Sequence, residues 1–316
     1  MTRLIIFTNA HSELKKILLS LFLLLITTSV QARDYCTVDD GGIKLCLKQP
    51  PKRIISLAPG STELLYAAGA GKQLLAVDQY SDYPAAAQKL PKVGGYPNIS
   101  IETLIGMNPD LVVVWTGGNS PQLIKHIENT GLTVFRLNAS DLNDIESGIR
   151  KLGVITGNTR HASKSADAYA SHLANLKTTY QQQSPVSVFF EIWRSPLMAI
   201  GGQQIIDSTI TLCGGRNIFA DAATRVPVIS IESLLARNPD VIIASDPRGN
   251  SKENQQAMTR YWNKWPMLSA VKKNQLYTVS SDLIARPTPR ILEGAEQICQ
   301  YLQTVRTTQN TAKNTP

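Results

Sequence analysis

Histidines, patterned basic segments and long apolar runs are all scarce in this sequence. The chain has 4 histidines, and His126, His161 and His172 lie in polar helical patterns without the Asp and Glu neighbours of a transition-metal site. Lys and Arg outnumber Asp and Glu by 32 to 24, yet no basic cluster is interleaved with aromatic residues. These patterns argue against a zinc or manganese site and against binding of nucleic acid.

The N-terminal region has the pattern of a secretory signal peptide. Lys15 and Lys16 precede an apolar run at residues 17–26, and a cleavage site follows at Ala32. A run of about ten residues is too short for a membrane anchor, which needs about 20, and no later segment is long and apolar enough to span. Residues 1–32 therefore predict export to the periplasm with cleavage of the signal.

All four cysteines follow the predicted signal peptide, and an even number in an exported chain favours disulfides. Cys36 and Cys46 flank Asp-Gly-Gly at 40–42, which is typical of a three-residue hairpin turn and would place the two cysteines opposite each other. The pairing that remains is Cys213 with Cys299. The alternative is four buried free thiols. A zinc site is disfavoured because no Cys-x-x-Cys occurs.

The clearest internal signal is a repeat. Residues 99–114 read ISIETLIGMNPDLVVV, and residues 229–244 read ISIESLLARNPDVIIA. In each copy a serine can cap a helix, and a glutamate, Glu102 or Glu232, lies in its first turn. Asn-Pro-Asp ends the helix, and the apolar run that follows is typical of a strand buried on both faces. A helix–strand unit used twice predicts two α/β lobes of similar design.

The sequence therefore predicts an α/β protein of two doubly wound lobes joined by a long helix. The helical spacing of apolar residues indicates that Thr159–Gln182 is one such helix, which would be stiff. The predicted regions are a signal peptide at 1–32, an N-terminal lobe at 33–140, a connecting helix at 141–183, a C-terminal lobe at 184–307 and a disordered tail at 308–316. The predicted strands of the second lobe are 186–192, 207–212, 241–244 and 276–279, followed by a last helix near 289–305.

Several motifs resemble a known family. Arg53-Ile-Ile-Ser-Leu-Ala-Pro, followed by Thr62-Glu63-Leu64, is similar to the opening of the helical-backbone class of periplasmic binding proteins. Proteins of that class deliver their ligands to importers of siderophores, haem and cobalamin. The more specific motifs, which resemble its cobalamin-binding branch, are Tyr80-Ser-Asp-Tyr-Pro, Trp115-Thr-Gly-Gly-Asn, Cys213-Gly-Gly-Arg-Asn-Ile-Phe, and Ser281-Asp282 with Arg286, Pro289 and Arg290. The resemblance covers nearly all of the chain after the signal peptide.

The resemblance implies a function and a set of functional residues. It implies a monomeric solute-binding protein, without catalytic activity or cofactor, that delivers cobalamin to the permease dimer of an inner-membrane ABC importer. Tyr80, Trp115, Asp282 and Arg286 would contact the ligand. The family's disulfide would be Cys213–Cys299. Two equivalent glutamates, Glu102 and Glu232, would dock onto the importer, although helix-dipole stabilisation alone could account for both.

The sequence departs from the family pattern at two aromatic positions. Tyr96 and Val228 stand where the family has tryptophans, and Trp193, which follows a predicted strand, is a candidate to compensate. Aromatic side chains at strand ends suit a broad, partly flat ligand with an amide fringe. We therefore add Tyr96 and Trp193 to the predicted ligand contacts. Core packing of the aromatic residues, and a simple ion pair between Asp282 and Arg286, are the alternatives.

Two other functions remain open at this point. A haem- or ferric-siderophore-binding protein of the same class is the first, since Tyr80 or Tyr96 could ligate iron. An exported enzyme is the second. It is disfavoured because the sequence around Ser61 lacks the Gly-x-Ser-x-Gly nucleophile motif.

Overall fold

The computed structural model describes residues 34–313, so the predicted signal peptide at 1–32 and residues 314–316 lie outside it. The strands are β1 (Tyr35–Val38), β2 (Lys44–Leu47), β3 (Ile54–Ser56), β4 (Leu74–Val77), β5 (Gly94–Gly95), β6 (Asn98–Ile99), β7 (Leu111–Trp115), β8 (Val134–Leu137), β9 (Val186–Arg194), β10 (Leu197–Ala199), β11 (Gly215–Asn217), β12 (Val241–Asp246) and β13 (Leu276–Ser280).

The α-helices alternate with these strands. They are α1 (Pro59–Ala67), α2 (Ile101–Gly106), α3 (Pro121–Asn129), α4 (Leu142–Ile155), α5 (Thr159–Tyr180), α6 (Ile205–Leu212), α7 (Ile231–Arg237), α8 (Lys252–Trp262), α9 (Ser269–Lys272), α10 (Ser281–Ile284) and α11 (Ile291–Lys313). Short 3₁₀ turns occur at Gly71–Gln73 and Ala85–Lys89. Within residues 34–313 no helix combines the length and the apolarity that crossing a membrane requires.

Each lobe is built on its own sheet. In the first lobe the strand order is β4-β3-β7-β8, and all neighbours are parallel. In the second lobe the order is β10-β9-β12-β13, with β11 also paired to β9. The β9, β11, β12 and β13 pairings are parallel, and β10 runs antiparallel to β9. Helix α5 connects the two sheets, which confirms the predicted class of two doubly wound lobes joined by a long helix.

The sequence repeat is also a structural repeat. Ser100 Oγ accepts the backbone N–H of Thr103 at 3.1 Å, and Ser230 Oγ accepts that of Ser233 at 3.2 Å, so both helices begin with the predicted cap. The apolar runs that follow are β7 and β12, whose residues Leu111–Val114 and Val241–Ala244 are buried. The repeat therefore supplies a central strand of each sheet, together with the helix before it.

The N-terminal hairpin matches its prediction and covers a sheet edge. Cys36 lies opposite Cys46 in the β1–β2 register, and the two are disulfide-bonded. The turn rests on β8, the outermost strand of the first sheet. The N–H of Asp40 donates to the carbonyl oxygen of Arg136 at 3.0 Å, and the Asp40 carboxylate accepts the N–H of Asn138 at 2.7 Å. Backbone groups of β8 that would otherwise form an unpaired edge are thereby satisfied.

The second predicted disulfide is also present. Cys213, at the end of α6, is bonded to Cys299 in α11, and both residues are fully buried. The bond joins the two helices through cysteines that are 86 residues apart in the chain. Residues 34–313 contain no free cysteine.

Two elements of the second lobe differ from the prediction. Residues 207–212 belong to helix α6, because Ile205, Ile206, Thr209 and Ile210 are buried at helical spacing. The short apolar run could not distinguish a buried strand from a buried helix. Helix α11 continues through Lys313, into the segment 308–316 for which a disordered tail was predicted. This last part of the helix is held to the domain by Gln309, which donates to Asp240 at 3.0 Å.

Candidate ligand-binding cleft

The predicted ligand contacts come from the carboxyl ends of strands in both sheets. Tyr80 follows β4, and Trp115 is the last residue of β7. Trp193 lies near the end of β9, and Asp282 follows β13 in the short helix α10. In open parallel α/β sheets this edge is where ligands bind. The topology therefore brings residues from distant parts of the sequence to the edge of each sheet where the parallel strands end, which is called the ligand-side edge after this general rule.

Tyr80 is presented by a segment that buried polar groups hold in place. Thr62 Oγ1 lies 2.7 Å from Ser81 Oγ and donates to Ser56 Oγ at 2.9 Å. Lys92 donates to the carbonyl oxygen of Ser81 at 2.8 Å. Beneath them, burial raises the pKa of Asp78, although a hydrogen bond from Ser81 opposes the rise. Tyr80 itself is 54% exposed.

Tyr96 follows Gly95, which the ring of Tyr80 contacts. It occupies the turn between β5 and β6 and is 62% exposed. The ring of Tyr80 packs on Gly95, where an added Cβ would lie 2.8 Å from a ring carbon, so only glycine fits there without displacement. The first lobe thus carries two neighbouring exposed tyrosines. The sequence suggested each of them separately but did not predict that the ring of Tyr80 packs on the residue before Tyr96.

Trp115 lies deeper than the tyrosines. Its backbone N–H donates to Asn119 Oδ1 at 2.8 Å, and Asn119 also donates to the carbonyl oxygen of Leu57 at 3.0 Å. The indole ring lies against Gly117 and Gly118, whose added Cβ atoms would be 2.7 and 2.6 Å from it. Trp115 is therefore partly buried at the end of its strand. Asn119, which fixes the loop, was not singled out from the sequence.

Trp193 lines a pocket of about 340 Å³ in the second lobe. The pocket lies at the ends of β9, β12 and β13, and Glu191 is at its base. Glu191 is buried and accepts hydrogen bonds from Trp262 Nε1 at 2.8 Å and Arg194 Nε at 2.6 Å. Sequence reasoning missed Glu191, although a single acid within the apolar run 186–192 was the available signal.

Trp193 also belongs to an apolar surface. It lies opposite Met198 in the β9–β10 register, and Met198 forms a β-bridge with Val228. Trp193 and Val228 are 61% and 64% exposed. The indole N–H of Trp193 donates to the carbonyl oxygen of Ser195 at 2.9 Å, which leaves the ring face free. The tryptophan thus lies beside the position where the family pattern has another one.

Asp282 and Arg286 form an ion pair, and Arg286 also reaches the first lobe. Arg286 Nη2 lies 2.8 Å from Asp282 Oδ1, and Nη1 donates to Asp82 at 2.6 Å and to Glu63 at 3.2 Å. The hydrogen bond from Arg286 lowers the pKa of Asp82. The local ion pair that was the alternative to a ligand role is therefore present. The contacts with Asp82 and Glu63 were not predicted, because they join residues more than 200 positions apart.

Arg290 completes the contact between the lobes. It donates to both carboxylate oxygens of Glu63, at 2.9 and 2.7 Å, and its guanidinium carbon lies 3.8 Å from the centroid of the Tyr83 ring. The segments that carry Tyr80 and Arg286 therefore lie against each other. They form a contact to which both lobes contribute.

The two repeated glutamates are both exposed near helix starts. Hydrogen bonds from its own backbone N–H and from Ser230 lower the pKa of Glu232. Neither Glu102 nor Glu232 lines the second-lobe pocket.

A larger pocket of about 570 Å³ lies along α8 and contains none of the predicted binding residues. Among residues 34–313, no group of three or more His, Cys, Asp and Glu side chains could hold a metal ion.

The two lobes, the connecting helix and the aromatic residues at the ligand-side edges define a solute-binding protein. Residues 54–283 match the periplasmic binding protein family, and the chain belongs to it. It is 36% identical over 255 residues to the vitamin B12-binding protein of Vibrio cholerae, covering 80% of this chain and 90% of that protein. It is 34% identical to the vitamin B12-binding protein of Vibrio campbellii, covering 81% and 91%.

Solved structures agree with this assignment. The periplasmic vitamin B12 binding protein of Vibrio cholerae superposes with a TM-score of 0.76 at 35% identity, covering 81% of this chain and 98% of that one. A periplasmic heme-binding protein from Roseiflexus superposes with a TM-score of 0.69 at 22% identity, covering 80% and 98%. At that identity the second likeness shows a shared fold only.

Proposed function

We propose that this protein binds cobalamin in the periplasm and delivers it to an inner-membrane ABC importer. The observation that carries the proposal is the set of exposed aromatic residues, Tyr80, Tyr96 and Trp193, at the ligand-side edges of two lobes. The vitamin B12-binding relatives, at up to 36% identity over most of the chain, support the choice of ligand. The protein acts by binding and release, as a monomer, without a catalytic cofactor.

The proposed contacts suit a corrinoid. Aromatic rings bury large areas against a broad, apolar macrocycle, and tyrosine hydroxyls can hydrogen-bond to its amides. Arg286 and Asp282 supply a donor and an acceptor for the amide fringe, and Trp115, at the end of β7, is a further proposed ligand contact. Cobalt is held by the macrocycle itself, so the protein needs no metal-binding side chains of its own.

Glu102 and Glu232 are the proposed docking residues for the importer. The permease dimer presents two like surfaces, and a two-lobed protein can match both with equivalent contacts. The repeat supports this role, because both glutamates follow a capping serine in equivalent exposed helices. We also propose the boundaries 33–140, 141–183 and 184–307 for the first lobe, the connection and the second lobe.

A calorimetric titration with cobalamin, cobinamide, haem and a ferric siderophore tests the choice of ligand. We expect saturable, 1:1 binding of cobalamin at concentrations where haem and siderophore bind weakly. The absorbance spectra of the mixtures provide a second measurement, because haem ligation by a tyrosine would shift the Soret band. Tighter binding of haem than of cobalamin would replace the proposed ligand with haem.

A further inference from the structure

A compact cluster of charges crosses from the second lobe to the first. The loop 286–290 contributes Arg286 and Arg290, and the first lobe contributes Glu63 and Asp82. Glu63 Oε1 accepts from Arg290 at 2.7 Å and from Arg286 at 3.2 Å, while Oε2 accepts from Arg290 at 2.9 Å. Both oxygens of Glu63 are thus occupied by guanidinium groups of the other lobe.

The burial of Glu63 makes this contact costly to open. Glu63 is only 4% exposed. A buried carboxylate is tolerated when cations and hydrogen bonds compensate for its lost hydration, and removing them leaves an uncompensated charge. The two arginines are mostly buried as well, with side chains 16% and 18% exposed. Separation of the loop from α1 would leave Glu63 without either compensating cation.

The backbones around the cluster are closely packed. Gly60, in the first turn of α1, lies beneath the second-lobe loop, where an added Cβ would be 3.3 Å from Pro287 Cδ. Arg290 stacks on the ring of Tyr83 in the first lobe. Thr288, between them, is fully buried. The junction is therefore a packed contact that surrounds the ion pairs.

We propose that Glu63 is a positioning residue that sets the spacing of the two lobes and the orientation of Arg286 in the cleft. It acts through the arginines and does not touch the ligand. Asp82 is the second, exchangeable partner of Arg286, since its side chain is 54% exposed and can be solvated when the contact opens. The role in lobe spacing is independent of the ligand, whereas the role in ligand binding rests on the proposed function.

The spacing of the lobes is measured first in the ligand-free protein. Spin labels on cysteines at Lys125 in α3 and Gln256 in α8, both exposed, report an interlobe distance by pulsed electron resonance. Glu63→Gln keeps the side-chain shape but removes the charge, so we expect a broader distance distribution than in wild type. The control is Asp221→Asn, which breaks the Asp221–Arg237 ion pair within the second lobe and should leave the distribution unchanged.

Two further variants separate positioning from general destabilisation. Asp82→Asn, at an exposed site, should broaden the distribution less than Glu63→Gln because the Glu63–Arg290 pair remains. Arg290→Gln should broaden the distance distribution about as much as Glu63→Gln does. The double variant Glu63→Gln/Arg290→Gln should broaden it little more than either single change, since both changes remove the Glu63–Arg290 ion pair. A wild-type distribution in folded Glu63→Gln, verified by circular dichroism, would overturn the proposal. Additive effects in the double variant would also contradict it.

Ligand kinetics provide the second readout. Stopped-flow dissociation of cobalamin should be about tenfold faster from Glu63→Gln, because an Arg286 side chain that Glu63 no longer orients would hold the ligand less well, and most such losses of affinity appear in the dissociation rate. An unchanged dissociation rate alongside a broadened distance distribution would remove the ligand part of the proposal and keep the spacing part. If wild-type protein fails to bind any corrinoid, the proposed function is wrong, and the ligand-free distances still decide the role of Glu63.

Discussion

Asp110 and Asp240 perform the same structural task in the two lobes. Asp110 Oδ2 accepts the backbone N–H groups of Lys52 and Arg53, at 2.7 and 2.9 Å. Asp240 Oδ2 accepts the N–H and the hydroxyl of Ser187, at 2.9 and 2.6 Å. In each lobe the aspartate of the Asn-Pro-Asp turn therefore anchors the chain at or just before the neighbouring strand, β3 or β9. The repeat preserves this tertiary contact as well as a helix cap.

Removal of either aspartate should destabilise the protein. Asp110→Ala loses two hydrogen bonds to a charged acceptor, and Asp240→Ala loses three, the third from Gln309. We therefore expect each variant to lower the free energy of unfolding by about 1.5–3 kcal/mol. Urea denaturation measures the change. The control is Asp167→Ala, whose exposed ion pair with Arg150 should contribute little. Equal stability of Asp167→Ala and Asp240→Ala would contradict the assigned role.

The two disulfides should contribute unequally. Chain entropy predicts about 4.5 kcal/mol for Cys213–Cys299 and about 2.5 kcal/mol for Cys36–Cys46, because their sequence separations are 86 and 10. We expect the paired alanine variants to follow that order in urea denaturation. If removal of Cys36–Cys46 lowers the free energy of unfolding more than removal of Cys213–Cys299, then packing of the hairpin on β8 contributes more to stability than the length of the closed loop. Peptide mapping without reduction checks the pairing itself.

Cleft aromatics should contribute to binding more than to stability. Tyr80→Ala and Trp193→Ala should each weaken cobalamin binding by about 1–3 kcal/mol, since both are exposed anchors at the ligand-side edge. The measurement is calorimetric titration, with unfolding transitions recorded in parallel. Met267→Ala is the control. Met267 is 56% exposed, but it lies near Ser269, which contacts Asn238 at the opposite edge of the sheet. Wild-type affinity in both aromatic variants would mean that the ligand binds elsewhere.

The docking glutamates should affect delivery and leave ligand affinity unchanged. Glu102→Ala/Glu232→Ala should bind cobalamin like wild type but fail to support uptake into vesicles containing the importer. Lysine replacements should be worse, because cations would then face the arginines expected on the permease. Glu253→Ala is a matched control, since Glu253 also lies in a first helical turn behind a capping serine. Uptake at the wild-type rate by the double variant would exclude these residues from docking.

The pKa of Asp82 should depend on the interlobe contact between Asp82 and Arg286. Arg286 lowers the pKa of Asp82 below the ordinary value of about 3.9. A lowered pKa contributes stability above the unfolded value, and this contribution is lost as pH falls through the folded value. Arg286→Gln should therefore raise the Asp82 pKa, as measured by carboxyl carbon-13 NMR. Asp141, which Arg286 does not contact, should titrate alike in both proteins, and an unshifted Asp82 would argue against the contact in solution.

The sequence alone determined the features that depend on short-range chemistry. Asp-Gly-Gly predicted the hairpin turn and hence the Cys36–Cys46 pair, because turn geometry sets the strand register. The Ser-x-Glu starts and Asn-Pro-Asp ends predicted two equivalent helices, and the apolar runs after them predicted β7 and β12. Each of these inferences uses residues a few positions apart, whose backbone preferences do not depend on the rest of the chain.

Tertiary structure decided what depends on distant partners. Residues 207–212 became helical because the side chains of α6 pack against the core at helical spacing, and 308–313 stayed helical because contacts such as Gln309 with Asp240 hold the end of α11. Glu63 was only one residue of a family motif until the fold placed it against Arg290, 227 positions away. Local preferences carry no information about such pairs, since their energy arises only once folding has removed both groups from water.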